Sequence, residues 1–256
     1  MLFGICGGPE IAPTARAAGY DYIELSTQTH LVGEADETVF QPILAQIRQC
    51  GLPCLASNVF VPAHLKITGP EVDFDHLTQY VSIVLERAER AGIKSIVFGS
   101  GGARRIPDGF DRERASDQLI AFGRMLAPVA ASHGVTIAVE PLNTGETNVL
   151  TSVREGLQYV KEVNHPAFRL LVDAYHWAKE QEPTADIVAA GPWLAHAHIA
   201  TYANRLPPGA EVCDFAAFFS ALKQGGYDLR LSIEAGWQDL STQAAPAHKL
   251  LESGLR

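Results

Sequence analysis

The sequence lacks the features that would place the protein in a membrane or on nucleic acid. No uninterrupted apolar run approaches the roughly 20 residues needed to span a bilayer. The N-terminal segment has no basic region before its short apolar run, so we predict no signal peptide. The 20 Lys and Arg are outnumbered by 29 Asp and Glu, and the net charge of −9 disfavours a nucleic-acid partner. We therefore predict a cytoplasmic protein with no membrane or nucleic-acid partner, and a homo-oligomer is possible.

Two common motifs are also missing. The four cysteines form no Cys-x-x-Cys pair, which favours reduced thiols over a disulfide framework. No Gly-x-Gly-x-x-Gly turn follows an early strand, since Gly4, Gly7 and Gly8 lack that spacing. The sequence permits two α/β folds, a closed parallel barrel and an open doubly wound sheet, and the missing glycine motif makes the open sheet the weaker prediction.

The sequence does contain eight short apolar runs that alternate with longer helical patterns. Eight strand–helix units in 256 residues, 47% of them hydrophobic and with no linker between them, predict a single (β/α)8 TIM barrel domain over residues 1–256. Helices are predicted over residues 9–18, 38–50, 73–91, 112–132, 152–163 and 184–190, around residues 215–222, and from about residue 240. Strands are predicted over residues 2–6, 20–25, 54–58, 94–98, 135–139, 168–172, 194–199 and 229–233.

Ionisable residues end the last four predicted strands: Glu140, Asp173, His198 and Glu234. Pro141 cannot donate to a sheet, so the fifth strand stops there and leaves Glu140 at the carboxyl rim, where barrel enzymes carry their chemistry. Capping carboxylates and a structural histidine are the alternative for any one of them. Three carboxylates and an imidazole at successive strand ends instead favour one divalent metal ion: Mn²⁺, Mg²⁺, Co²⁺ or Zn²⁺.

Motifs around these positions carry a resemblance to a known family. The sequence resembles the xylose isomerase-like TIM barrels, which include sugar isomerases, ketose 3-epimerases, hydroxypyruvate isomerase, inosose dehydratase and endonuclease IV. The resemblance covers nearly the whole chain. Its most specific parts are Glu140-x-x-Asn143-x-x-Glu146, Asp173-x-x-His176, His196-x-His198 and Ile233-Glu234.

The resemblance implies roles for the site residues. The four strand-end residues would bind one divalent metal ion, and Glu146, His176 and an arginine would hold a small carbohydrate substrate. The family pattern places that arginine six residues after the metal-binding histidine, where this sequence has Asn204. Arg205, seven residues after His198, would have to reach the substrate through a longer loop.

Other rim positions are further candidates. His64, in the long loop after the third strand, is a candidate substrate contact without a family assignment. Trp177 and Trp237 directly follow ligand positions and are candidate pocket walls, with helix packing as the alternative. Residues 99–105 offer backbone N–H groups and two arginines to a phosphate, although a flexible turn with solvated arginines is the favoured interpretation.

These residues suggest proton transfer at the carbon next to a carbonyl in a polyol-like substrate. Glu140 and Glu234 would act as base and acid, and the metal ion would stabilise the enediolate. Return of the proton to the neighbouring carbon gives isomerisation, and return to the other face of the same carbon gives epimerisation. Both are isomerase reactions, so an isomerase is the leading hypothesis. A lyase or dehydratase that uses the same enolate is the runner-up.

Two further readings are weaker. A nuclease like endonuclease IV needs a three-metal cluster with additional histidines, but residues 97–102 contain none and no Asp-x-His follows His198. A non-catalytic sugar-binding subunit is disfavoured because all four presumed ligands are present.

Overall fold

The computed structural model describes residues 1–255, in which eight parallel strands close into a barrel in chain order. Each strand pairs with the next, and the last pairs with the first. The predicted (β/α)8 barrel is therefore confirmed; the predicted domain end, Arg256, lies outside the described residues. The strands are β1 (Leu2–Cys6), β2 (Tyr22–Ser26), β3 (Cys54–Asn58), β4 (Ser95–Phe98), β5 (Thr136–Val139), β6 (Phe168–Asp173), β7 (Leu194–Ile199) and β8 (Arg230–Ile233).

Helices surround the barrel, and three short ones that begin within three residues of a strand end (α2, α5 and α8) are absent from the sequence-based prediction. Within residues 1–255, no helix is both long enough and apolar enough to cross a bilayer. The helices are α1 (Ala12–Ala17), α2 (Thr27–His30), α3 (Glu37–Gln49), α4 (Phe74–Ala91), α5 (Gly101–Arg104), α6 (Arg112–Ser132), α7 (Val153–Val163), α8 (Ala174–Lys179), α9 (Thr184–Ala190), α10 (Ala216–Gln224) and α11 (Leu240–Leu255).

Helix α4 shows how the sequence sets an element's limits. The Asp73 carboxylate accepts a hydrogen bond from the His76 backbone N–H at 3.0 Å, which caps the helix N-terminus. Gly92 ends the helix with a φ of 82°, a left-handed conformation that glycine adopts without strain. Leu77 and Val84 lie on the buried face. The predicted amphipathic helix is therefore present.

The barrel interior is divided into an apolar and a polar part. Because side chains alternate along a strand, every second residue points inward. Val97, Ala138 and Leu171 form a small apolar cluster separate from the main core between strands and helices. Buried polar residues of β2, β7 and β8 form the other part, which supports the carboxyl rim: Tyr22, Glu24, His196, His198 and Ser232.

Candidate metal centre and substrate cleft

The structure brings the four predicted metal ligands together at the carboxyl ends of β5 to β8. Each residue contributes one ligand atom, and these four atoms lie within 4.8 Å of one another: they belong to Glu140, Asp173, His198 and Glu234. Nδ1 of His198 is 3.2 Å from Oε1 of Glu140 and 3.3 Å from Oε2 of Glu234. Asp173 and His198 are almost fully buried, whereas Glu234 is half-buried and faces the opening. The cluster is therefore compact and accessible from one side.

Backbone structure at the end of β5 positions Glu140. Its N–H donates to the Phe98 carbonyl at 3.1 Å, which continues the ladder by one residue before Pro141 leaves the sheet. The neighbouring Gly99 leaves room for the carboxylate. A Cβ atom at position 99 would lie 2.4 Å from Oε2 of Glu140, a distance that would displace the carboxylate.

Arg104 holds the same segment from inside the protein. Its guanidinium is fully buried and donates to the carbonyls of Phe98 at 3.1 Å and Glu140 at 2.8 Å, with a longer contact to Leu150 at 3.4 Å. Burial lowers the pKa of Arg104 to about 10, so the group remains charged at neutral pH. The expectation of a solvated arginine is therefore wrong for Arg104. Because its guanidinium is buried and bound to backbone carbonyls, Arg104 cannot bind a phosphate either. Arg105 is exposed.

Asp173 joins β6 to α8. Its Oδ1 accepts a hydrogen bond from the Tyr175 N–H at 2.9 Å and caps the helix. Its Oδ2 does not take part in the cap and lies in the site, 3.5 Å from Nε2 of His176 and 3.4 Å from the Arg205 guanidinium. Burial raises the pKa of Asp173 to about 6 despite that arginine.

The electrostatics of the cluster fit a cation. Burial and the neighbouring Glu234 raise the pKa of Glu140. Burial alone would also raise the pKa of Glu234, but His198 and Arg205 lower it to about 2. Carboxylates crowded in this way repel one another, and a divalent cation removes the conflict. Three oxygen ligands and one imidazole nitrogen suit Mn²⁺, Mg²⁺, Co²⁺ or Zn²⁺.

His176 holds a buried hydrogen-bond donor next to Asp173 of the metal cluster. Its Nδ1 accepts from the Asn143 N–H at 3.1 Å and from the Asn143 side chain at 2.8 Å. Nε2 therefore carries the proton, and this buried atom forms no hydrogen bond in the described chain. Asn143 also donates to Oε1 of Glu146 at 2.9 Å. It thus positions both predicted substrate contacts of this segment.

Arg205 reaches the site despite its shifted position in the sequence. The guanidinium contacts the carboxylates of Glu234, Asp173 (3.4 Å) and Glu146 (3.7 Å). It also lies 4.9 Å from the centre of the Tyr175 ring. The backbone φ of Arg205 is 52°, in the left-handed region.

The remaining candidates do not join the ligand cluster. His64 has a largely exposed side chain that pairs with Glu34 at 2.9 Å. Trp177 is buried against Phe218 with a centroid distance of 6.0 Å, which corresponds to the helix-packing alternative. Trp237 is partly buried and packs against the main core. Substrate contacts by these residues stay predictions.

Two buried polar residues at the site were missed by the sequence-based interpretation. Glu24, at β2, accepts hydrogen bonds from Nε2 of His198 at 2.8 Å and of His196 at 2.7 Å. Asn58, the last residue of β3, donates to Oε1 of Glu234 at 2.7 Å. Both residues lie at or near the end of a predicted strand. Glu24 is ionisable and near a strand end, so the pattern that identified the four ligands could have found it, whereas Asn58 is not ionisable and falls outside that pattern.

A cleft of about 360 Å³ opens onto the cluster. Among the described residues that line it, Arg205 is the only cation, and it already contacts three carboxylates. The acidic side chains on the lining are Glu140, Glu146 and Glu234. The uncharged lining residues are Gln28, Val59, Val61, Ala63, Gly99, Ser100, Gly101, Gly102 and Leu142.

The closed parallel barrel carries ionisable residues from four consecutive strands at its carboxyl rim. These two features place the protein in the class of parallel barrels with a candidate metal site at that rim. The family model described as xylose isomerase-like TIM barrel matches residues 13–256, and the chain belongs to this family.

Similar proteins place the chain among epimerases within that family. It is 31% identical to the L-ribulose 3-epimerase of Methylomonas sp. (strain DH-1), over 88% of this chain and 77% of the relative. It is 27% identical to the 3-dehydro-D-guloside 4-epimerase of Escherichia coli (strain K12), over 82% and 79%. The D-psicose 3-epimerase structure from Clostridium cellulolyticum H10 has the same fold, with a TM-score of 0.86, 20% identity and full coverage of both chains. The predicted isomerase-class enzyme is confirmed.

Proposed function

We propose that the protein is a divalent-metal-dependent epimerase that acts on an unphosphorylated keto sugar. The observation that carries the proposal is the position of two carboxylates, Glu140 and Glu234, which lie 3.2 and 3.3 Å from Nδ1 of His198 and on the wall of one cleft. They come from β5 and β8, which lie three positions apart around the barrel. Two carboxylates in this arrangement can serve two sides of one substrate carbon.

The metal would be held by the four strand-end residues: Glu140, Asp173, His198 and Glu234. When bound, a divalent cation supplies Lewis-acid polarisation of adjacent substrate oxygens and stabilises the negative charge of an enediolate. Buried oxygen ligands and a single imidazole nitrogen fit this role.

The chain's own residues would move the proton. The ionised carboxylate of the pair Glu140 and Glu234 removes the proton from the carbon next to the carbonyl, and the C–H electron pair enters the enediolate. The other carboxylate, carrying a proton from solvent, returns it to the other side of the same carbon, which gives the epimer with unchanged mass; the two groups exchange roles in the reverse reaction. His176 donates from Nε2 to a substrate oxygen, and Glu146 and Arg205 orient the hydroxyl groups.

The charge of the cleft supports an uncharged substrate. A phosphate ester would face Glu140, Glu146 and Glu234, while Arg205 is already engaged by carboxylates. Arg104, the other arginine considered for phosphate, is buried and bound to backbone carbonyls. Substrates of the relatives, L-ribulose and 3-dehydro-D-guloside, are named as sugars without a phosphate group.

Product analysis tests the proposal. Metal-reconstituted protein is incubated with free ketoses, keto-glycosides and their phosphate esters, and the products are separated and identified by NMR. We expect an epimer of unchanged mass from at least one unphosphorylated substrate and no turnover of its phosphate ester. Arg105→Gln, an exposed change on the neighbouring loop, serves as the control with full activity. Loss of water with a new enone absorbance, or no turnover of any free keto sugar, would contradict the proposal.

A further inference from the structure

Glu24 is the centre of a buried polar network below the metal cluster. The residue is completely inaccessible to solvent. Its Oε1 accepts from Nε2 of His198 at 2.8 Å, and its Oε2 accepts from Nε2 of His196 at 2.7 Å and from Oγ of Ser232 at 2.6 Å. A buried carboxylate needs such donors, because an unpaired charge in this position would be strongly destabilising.

Packing from β1 and β2 fixes this network. The Tyr22 hydroxyl lies 2.8 Å from Oγ of Ser232, and both side chains are fully buried. Gly4 on β1 makes room for the tyrosine, since a Cβ atom there would lie 2.2 Å from the Tyr22 ring. The Glu24 carboxylate therefore has a defined position, set by four strands.

The direction of the hydrogen bond at His198 decides which nitrogen faces the metal site. An ionised carboxylate only accepts hydrogen bonds, so the Nε2 atom of His198 must carry a proton. In the neutral imidazole, the lone pair then belongs to Nδ1, the nitrogen that lies among the ligand oxygens. Glu24 is bonded to Nε2 of His198 and so acts on this cluster through the imidazole.

We propose that Glu24 is a positioning residue that fixes the tautomer and orientation of His198 and thereby sets the metal affinity of the site. His196 and Ser232 support this role by holding the second carboxylate oxygen. This inference rests on the proposed function, because it concerns the same metal site. Carboxylate partners of metal-binding histidines generally contribute about 10- to 100-fold to metal affinity.

Glu24→Gln tests the inference at almost constant side-chain volume. The amide has one accepting oxygen, so its NH₂ group must face one of the two Nε2–H groups, or an imidazole must change tautomer. We expect the dissociation constant for Zn²⁺ to rise about 10- to 100-fold, measured by titration of metal-free protein against a competing chelator. ¹⁵N spectra of the zinc-loaded wild type should show His198 protonated at Nε2, and this pattern should change in the variant.

Thr27→Val is the matched control. Thr27 donates to Oγ of Ser57 at 2.8 Å in another buried polar pair of the barrel, so the variant loses a buried hydrogen bond without contact to Glu24. Its zinc affinity should equal that of the wild type. Equal weakening in Thr27→Val and Glu24→Gln would overturn the inference, because the effect would then reflect general destabilisation.

Other outcomes are equally decisive. An unchanged dissociation constant and an unchanged His198 spectrum in Glu24→Gln would overturn the inference, as would a wild type that binds no metal. If Glu24→Gln does not fold, Ser232→Ala removes one donor to the carboxylate and should raise the dissociation constant in the same direction; no change there would also overturn it. A wild type that binds zinc with the expected Glu24 dependence but turns over no keto sugar contradicts only the proposed function.

Discussion

At the scale of single residues, the site depends on small groups that leave space as well as on groups that bind. Gly99 is the clearest case, because a methyl group in its place would overlap the Glu140 carboxylate. Asn143 acts in the opposite way, holding His176 and Glu146 through one side chain. Loss of either residue would disturb the geometry without removing a metal ligand or a proton-transfer group.

Gly99→Ala should therefore weaken metal binding. The added Cβ atom would lie 2.4 Å from Oε2 of Glu140, so the carboxylate must move away from the cluster. We expect the metal dissociation constant to rise about tenfold or more in a chelator-competition titration. Gly109→Ala is the control: its φ of 75° makes alanine strained, but a Cβ there meets nothing within 4 Å. An unchanged metal affinity in Gly99→Ala would show that Glu140 is not held where we place it.

At the scale of elements, strands were readable from the sequence, whereas connections between them were not. Apolar runs ending in ionisable residues predicted Asp173 and His198 at the carboxyl rim, and the structure has them there because a parallel barrel brings all strand ends to one rim. The contact of Arg205 depends on a left-handed turn within a loop, which no periodic pattern encodes. Arg104 and Arg105 are adjacent and chemically identical in sequence, and only the short helix α5 decides which is buried.

Arg104→Leu tests the structural role of that helix. The substitution leaves the buried carbonyls of Phe98 and Glu140 without their donor, and unsatisfied buried acceptors are costly. We expect the free energy of unfolding to fall by about 3 kcal/mol, measured by denaturant titration. Arg105→Leu, one residue further and exposed, should change it by less than about 0.5 kcal/mol. Similar values for both variants would contradict a specific role of Arg104 at the β4 and β5 ends.

At the scale of the whole molecule, barrel closure joins residues that are distant in the sequence. Glu24 and His198 are 174 positions apart, yet they form one hydrogen bond because β2 and β7 face a common interior. The same closure concentrates three carboxylates at the rim and stores electrostatic repulsion in the metal-free protein. The domain limits of 1–256, cytoplasmic localisation and a homo-oligomer stay predictions.

Metal binding should consequently stabilise the whole fold. A ligand that binds only the native state adds about 2.7 kcal/mol to the free energy of unfolding when its free concentration is about 100 times its dissociation constant. For a barrel of this size we expect the melting temperature to rise by about 5–10 °C when Mn²⁺ or Zn²⁺ is added. Addition of a chelator should lower it again to the value of the metal-free protein. Asp173→Asn should lose most of this shift. A melting temperature independent of divalent metals would argue against the centre.

The most direct measurement of the central claim is the exchange of substrate C–H protons with D₂O, followed by NMR. The metal-loaded wild type should incorporate deuterium at the carbon next to the carbonyl of its substrate. Glu140→Gln and Glu234→Gln should each reduce this exchange by at least about 100-fold, because each removes one of the two proton-transfer groups. Arg105→Gln should exchange at the wild-type rate. Wild-type exchange in both glutamate variants, or no exchange in a metal-loaded wild type that forms the epimer, would contradict proton transfer by this pair of carboxylates.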